Sequence, residues 1–202
     1  VTARANPDGY TLLITLSGLV TTPAVNPSAD YNPVRDFTPI LLIARSPYRI
    51  VVNPAVPANT IQEWFALVKA KPGQLNYGTA GTGSAVHLSV ELFKIMAGVN
   101  IVHVPYKGTG PAMTDLISGQ IQMMFGGTLS SLPHVKAGRI RALAVTSLQR
   151  RSDSPDLPTV AETILPGYES GEWFGVIGPA GLPRPLLAKI HAELTRVTKD
   201  PE

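Results

Sequence analysis

The stretch Asn76 to His87, NYGTAGTGSAVH, concentrates residues able to hold an anion without using charge. Its glycines let main chain approach a ligand closely, and Ser84 stands just before the apolar, helically spaced run AVHLSVELFKIMA. A helix opened at Ser84 presents unpaired N–H groups and a partial positive charge worth about 0.3–1 kcal/mol to an anion. Hydrogen bonds to a charged group contribute roughly 1.5–3 kcal/mol each. Two or three of them, with a second wall to the pocket, support micromolar binding, about −8 kcal/mol. Thr79, Ala80, Gly81, Thr82, Gly83 and Ser84 are therefore candidate ligand-binding residues. His87 shares a helix face with Ser84 and Glu91 and can donate to a carboxylate. Tyr106 follows the strand-like run NIVHVP, and ligands in open α/β sheets sit beyond the carboxyl ends of strands. Each feature also has a plainer reading: a tight strand-to-helix turn, a histidine bonded to a neighbouring strand, and a solvated turn at Tyr106-Lys107.

Phosphate is a poor fit. Gly78 and Gly83 have the spacing of a phosphate-cradling loop, but Ser84-Ala85 replaces the Lys and hydroxyl that such a loop needs. The dinucleotide pattern fails at Val86. A carboxylate suits uncharged donors better. His87 and Glu91 have metal-ligand spacing but no evident third ligand, so neither a metal nor a cofactor is expected. Catalysis has thin support: no G-x-S-x-G elbow occurs, and His87, His103, His134 and His191 are dispersed along the chain. Asp115 falls on a helix facing either pocket or solvent. An α/β enzyme, a transferase or hydrolase acting on an anionic small molecule, stays open as the alternative. Its nearest nucleophile and base are Ser84 and His87, an awkward i, i+3 pair.

The elements that position these residues alternate. Tyr10 to Leu16, Pro39 to Ala44, Tyr48 to Asn53, Leu75 to Gly78, Asn100 to Pro105, Ile121 to Phe125, Ile140 to Thr146 and Gly175 to Gly178 read as strands. Helices are expected over 60–70, where Thr60 and Glu63 have capping-box spacing, over 84–97, from Pro111 to Gly119, over 132–137, and from about Pro183. Pro23, Pro27 and Pro33 argue against a long regular element between Ser17 and Phe37. Regular alternation from Tyr48 to Thr146 implies an α/β fold with a mainly parallel sheet and flanking helices. The irregular, Pro-rich ends imply a lobe over 46–167 inserted into a terminal lobe made of 1–45 and 168–202.

Composition excludes several classes. Hydrophobic residues make up 44% of the 202 and charged residues only 15%, with a net charge of +3, so the chain is globular. No stripe of Lys and Arg interleaved with aromatics occurs, which argues against a nucleic-acid partner. There is no cysteine, hence no disulfide and no thiol chemistry. No run approaches 18 apolar residues. The start at Val1-Thr2-Ala3-Arg4 carries no signal-like segment, and both ends read as interior sequence.

An ordered set of segments adds a resemblance. PDGYTLL from Pro7, RDFTPI from Arg35, LNYG running into GSA and His87-Leu88, HVPYKG from His103, AGRIRALAVT from Ala137, LPTVAE from Leu157, and WFG with PAG from Trp173 together resemble the extracytoplasmic solute receptors of tripartite tricarboxylate transporters, the Bug family. The resemblance covers nearly the whole chain. It implies a two-lobed periplasmic binding protein of type II-like architecture with a hinged cleft, non-catalytic, that hands its ligand to a membrane permease. The implied ligands are small carboxylates: dicarboxylates, citrate-like acids, acidic amino acids or aromatic acids. It also implies that two loops grip the carboxylate, largely through main chain and water, and that Thr79 to His87 is one of them. The family's other loop precedes the residues present, so the chain is expected to be truncated at both ends. Many members carry Asp where this chain has Gly126-Gly127, which argues against an amino-acid ligand.

Overall fold

The computed structural model describes residues 1–199. The chain divides into two compact units: unit 1 is Val1–Arg45 with Trp173–Glu202, and unit 2 is Ser46–Glu172. Residues 200–202, including the end expected to break off after the last helix, lie outside the described part.

Unit 2 carries the βα alternation. Its elements are the second half of β2 (Phe37–Val52), then α2 (Ile61–Ala70), β3 (Asn76–Thr79), α3 (Ala85–Ala97), β4 (Val102–Pro105), α4 (Thr109–Ser118), β5 (Met123–Gly127), α5 (Thr128–Lys136), β6 (Arg141–Val145) and the single turn α6 (Val160–Thr163). β3 pairs parallel with β4 and with β5. β2 runs against both of its neighbours, with Tyr48 opposite Gly127 in β5 and Arg49 opposite Val145 in β6. The sheet is therefore mixed, with one reversed strand among parallel ones.

Strand periodicity separates two cores. Ile50, Val52, Met123 and Phe125 face Trp64 of α2 and Phe93 of α3. Val51 and Met124 face Ala112, Met113 and Leu116 of α4. Both sheet faces are covered, which explains the near-continuous apolar strand sequences. Phe93 is the hub of the first core: its ring lies 5.6 Å from Tyr168, 5.8 Å from Trp64 and 6.0 Å from Phe125. The contacts with Tyr168 and Phe125 are edge-to-face, and such pairs add about 0.5–1.5 kcal/mol each beyond burial.

Helix ends follow their local chemistry. Thr60 accepts from the Glu63 N–H at 3.1 Å, and Glu63 reaches back to the N–H of Asn59 at 2.7 Å. The carboxylate thus takes the N–H one residue before the cap, a small departure from the reciprocal box. α3 ends at Gly98, whose φ of 62° is the left-handed conformation glycine tolerates.

Unit 1 is built from β1 (Leu13–Leu16), α1 (Gly18–Val25), the first half of β2, β7 (Gly171–Pro179) and α7 (Arg184–Thr198). β1 pairs antiparallel with β7, and Ile40, Val176 and Leu182 pack with Leu186, Leu187 and Ile190. One expectation is revised here, and one short element is added. The segments Pro39 to Ala44 and Tyr48 to Asn53 are one strand, because Arg45-Ser46-Pro47 stays extended and a proline is tolerated where its missing N–H is not needed. The Pro-marked region contains the eight-residue α1, which carries Pro23 inside it. Among the described residues no helix is long and apolar enough to cross a membrane.

Thr146, completely buried, joins three stretches of unit 2. Its hydroxyl accepts from the Tyr48 N–H at 2.8 Å and donates to the Ser170 carbonyl at 2.6 Å. Thr146→Val keeps the shape but leaves buried polar groups unpaired, at about 1–3 kcal/mol. Urea denaturation of Thr146→Val should show that loss, and Thr146→Ser should recover most of it.

Candidate functional site

Three consecutive parallel strands end at one edge of the unit 2 sheet, and a helix starts after each. β3 leads to α3 capped by Ser84, β4 to α4 capped by Gly108, and β5 to α5 capped by Gly127. Three helix N-termini thus share the carboxyl edge, where an α/β sheet takes its ligands. α4 and α5 have no side-chain cap bond, while Ser84 accepts from the His87 N–H at 3.3 Å.

The loop from Thr79 to Ser84 has the shape its glycines allow. Gly81 has φ 133° and Gly83 φ 80°. An added Cβ at Gly81 would lie 3.4 Å from the Tyr106 carbonyl. Ala80, Gly81 and Ser84 are half-buried, Thr82 is exposed, and Gly83 is buried. Thr79 is fully buried and works from behind: its Oγ1 accepts from the Gly81 N–H at 3.2 Å and contacts His103 Nε2 at 2.7 Å. Thr79 is thereby a support of the loop, and Thr82 is its most open side chain.

His87 is also engaged from within. Its Nδ1 accepts from the Gly83 N–H at 3.2 Å, and Nε2 lies 3.9 Å from Glu91 Oε1. The expected alternative, a histidine bonded to a neighbouring strand, takes a different form: the ring stacks on His103 of β4 at 4.1 Å. The dispersion of histidines along the sequence concealed this pair. Tyr77 stacks on the other side of His103 at 5.0 Å, and its hydroxyl donates to Glu91 at 2.5 Å. Lys94 also donates to Glu91, at 2.7 Å. Behind the loop therefore lies a polar cluster of Tyr77, Thr79, His87, Glu91, Lys94 and His103. The i, i+4 pair of His87 and Glu91 was visible in sequence, but parallel pairing of Tyr77 with His103 is what brings the second histidine to it.

Electrostatics follow from this packing. Burial, then the neighbouring His87, lowers the His103 pKa and keeps the ring neutral near pH 7. Burial tends to raise the Glu91 carboxyl, but bonds from Lys94 and Tyr77 outweigh it and hold the pKa below its ordinary 4.5. Tyr106 stands behind the loop as well. Its N–H donates to the Thr79 carbonyl at 3.1 Å, and its hydroxyl donates to Asp115 at 2.7 Å. Burial and that carboxylate push the Tyr106 hydroxyl up to about 12. Asp115 thus faces Tyr106, and Lys107 is exposed.

The pairing an enzyme would need does not form between Ser84 and His87. The Ser84 hydroxyl takes the main-chain N–H of His87, and His87 Nδ1 takes that of Gly83. Among the described residues no group of three potential metal ligands occurs. Cavity volume does not mark the loop: a cavity of about 630 Å³ lies in unit 1, lined by Arg4, Leu13, Thr15, Thr22 and Phe37 among others.

Comparison with known proteins gives the loop its context. The chain belongs to the family described as tripartite tricarboxylate transporter family receptor, whose model matches residues 1–202. It is 37% identical, over 99% of its length, to the UPF0065 protein in the tcbD-tcbE intergenic region of Pseudomonas sp. strain P51, covering 60% of that protein. Rpa4515 of R. palustris, solved with adipate, matches with a TM-score of 0.92 at 36% identity, covering 99% of this chain and 67% of that one. MatC from Rhodopseudomonas palustris, solved with bound malate, matches at 0.87 and 32% identity, covering 99% and 68%. The fold is that of the periplasmic solute-binding proteins. The chain spans about 60% of the length of the curated relatives it matches.

Glu91 supplies a test of the cluster. Because its folded pKa is depressed, its stabilising contribution is complete above the ordinary value of 4.5 and fades as pH falls through the lower folded pKa. Glu91→Gln should be less stable than the parent at pH 7 and lose less on acidification. Urea midpoints at pH 7, 4.5 and 3 check this.

Proposed function

We propose that this chain is the ligand-capturing part of an extracytoplasmic receptor that binds a small organic carboxylate in the periplasm and delivers it to the membrane permease of a tripartite transporter. The loop Thr79 to Ser84 is the proposed contact, with the exposed Thr82 and the half-buried Ala80, Gly81 and Ser84 nearest the ligand beside the open first turn of α3, and with Thr79, Gly83, His87 and Tyr106 holding the loop in shape. The single observation that carries the reading is the convergence of three helix N-termini on a glycine-rich loop with no lysine or arginine in it.

The chemistry follows from the donors. Main-chain N–H groups and a hydroxyl bond carboxylate oxygens well and offer no point charge for a terminal phosphate. Recognition through main chain makes shape the main discriminator among acids. Family membership and the acids bound by the two R. palustris proteins support the same class, with dicarboxylates the first to try. Capture without chemistry is supported by the way Ser84 and His87 are already spent on the loop.

A thermal-shift screen of the full chain against mono-, di- and tricarboxylates tests the reading, since a ligand that binds only the folded state raises stability by mass action. At least one acid should raise the melting temperature at millimolar concentration, and silence from all of them would overturn the proposal. Gly83→Ala, forced toward a φ that costs an L-residue roughly 1–2 kcal/mol, should weaken the best acid about tenfold or more.

A further inference from the structure

We propose that His103 is a positioning residue for the anion loop, holding Gly81 through Thr79 and backing the His87 ring that holds Gly83, so that proton uptake by the histidine pair loosens the loop. The inference rests on the reading of Thr79 to Ser84 as a carboxylate site, but its chemistry is read from contacts inside unit 2 alone.

Thr79 Oγ1 stands between Gly81 and His103 and links the two. It accepts from the Gly81 N–H and lies 3.2 Å from the Gly81 carbonyl, to which it donates. With that proton and one lone pair used, the 2.7 Å contact has His103 Nε2 as the donor. His103 is therefore taken as the Nε2–H tautomer, and the ring ¹⁵N spectrum separates it from the reverse arrangement in which the Thr79 hydroxyl donates to a bare Nε2. His87 is assigned the same way: Nδ1 accepts from the Gly83 N–H, so the ring proton of the neutral form sits on Nε2, toward Glu91. Each histidine thus governs one glycine of the loop, one directly and one through a threonine.

Protonation breaks this scheme at one point. A proton on His87 Nδ1 would meet the Gly83 N–H head on, so that bond is lost and the turn must give. A second proton would then enter a ring stacked 4.1 Å from the first. The charged and titratable groups facing the pair are Tyr77 from β3, and Glu91 and Lys94 from α3. Glu91 favours uptake, whereas Lys94 and burial oppose it at His103. The device places a proton-sensitive contact directly behind donors that a carboxylate would use.

Amide exchange and histidine ¹⁵N spectra of the full chain test this without any ligand. In the parent, both neutral histidines should show a bare Nδ1, and the Gly83 amide signal and its protection factor should change together with protonation of the His87 ring on acidification. His103→Phe keeps a stacked ring but removes the donor, and losing one net hydrogen bond should lower Gly81 protection about tenfold. His103→Gln restores a donor and should recover it. Should His103→Phe fail to fold, Thr79→Val removes the oxygen that links His103 to Gly81 and is read at Gly81 in the same way. Unchanged Gly81 protection in His103→Phe or Thr79→Val overturns the positioning role, and a Gly83 amide indifferent to the His87 titration overturns the proton coupling. Adipate titration of the same samples serves as a separate arm: no binding at any pH counts against the carboxylate reading alone, and the amide data still decide the role of His103.

Discussion

Parallel pairing of β3 with β4 and β5 is the constraint on which the rest of unit 2 depends. Strands that run the same way must each return by a crossover, and each crossover here begins as a helix at the same sheet edge. Three partial positive charges are thereby gathered at one edge, with no lysine or arginine in the Thr79–Ser84 loop itself. The same pairing sets Tyr77 beside His103 and so assembles the cluster behind the loop. The gathered helix starts and the polar cluster behind them are two consequences of one register.

The loop between β3 and α3 shows how such donors are kept in place. Glycines at 81 and 83 adopt positive φ, which frees the path of the main chain but gives it no stiffness of its own. Stiffness comes from buried side chains that bond back to it. Thr79, wholly buried, ties Gly81, and His87 ties Gly83. Tyr106 ties the end of β3 through its N–H and is itself anchored to Asp115. Burying so many polar groups is tolerable because they bond to one another, leaving few desolvated groups uncompensated.

Much of this was legible beforehand where local chemistry rules. Ser84 reads as a cap because a hydroxyl before an apolar helical run has few other roles, and it caps α3. Pro47 misled the reading of β2, since a proline interrupts a strand only when its N–H is needed. α1 was missed because a short helix around Pro23 leaves almost no periodic signal. His103 was missed for a different reason. Nothing near it in sequence marks it, and its partners are 24 residues away at Thr79 and 16 away at His87.

The αβ alternation and the place of the glycine-rich turn were readable from residue order, because they depend on spacing, capping and residue type within a few positions, and the family from the resemblance of an ordered set of motifs. What each residue of that turn contacts came from the folded chain. Thr79, His87 and Tyr106 are candidate ligand contacts in sequence but bond to the loop from behind, since strand pairing and helix docking choose which side of the main chain each side chain occupies. That choice is made by long-range packing, which no local pattern encodes.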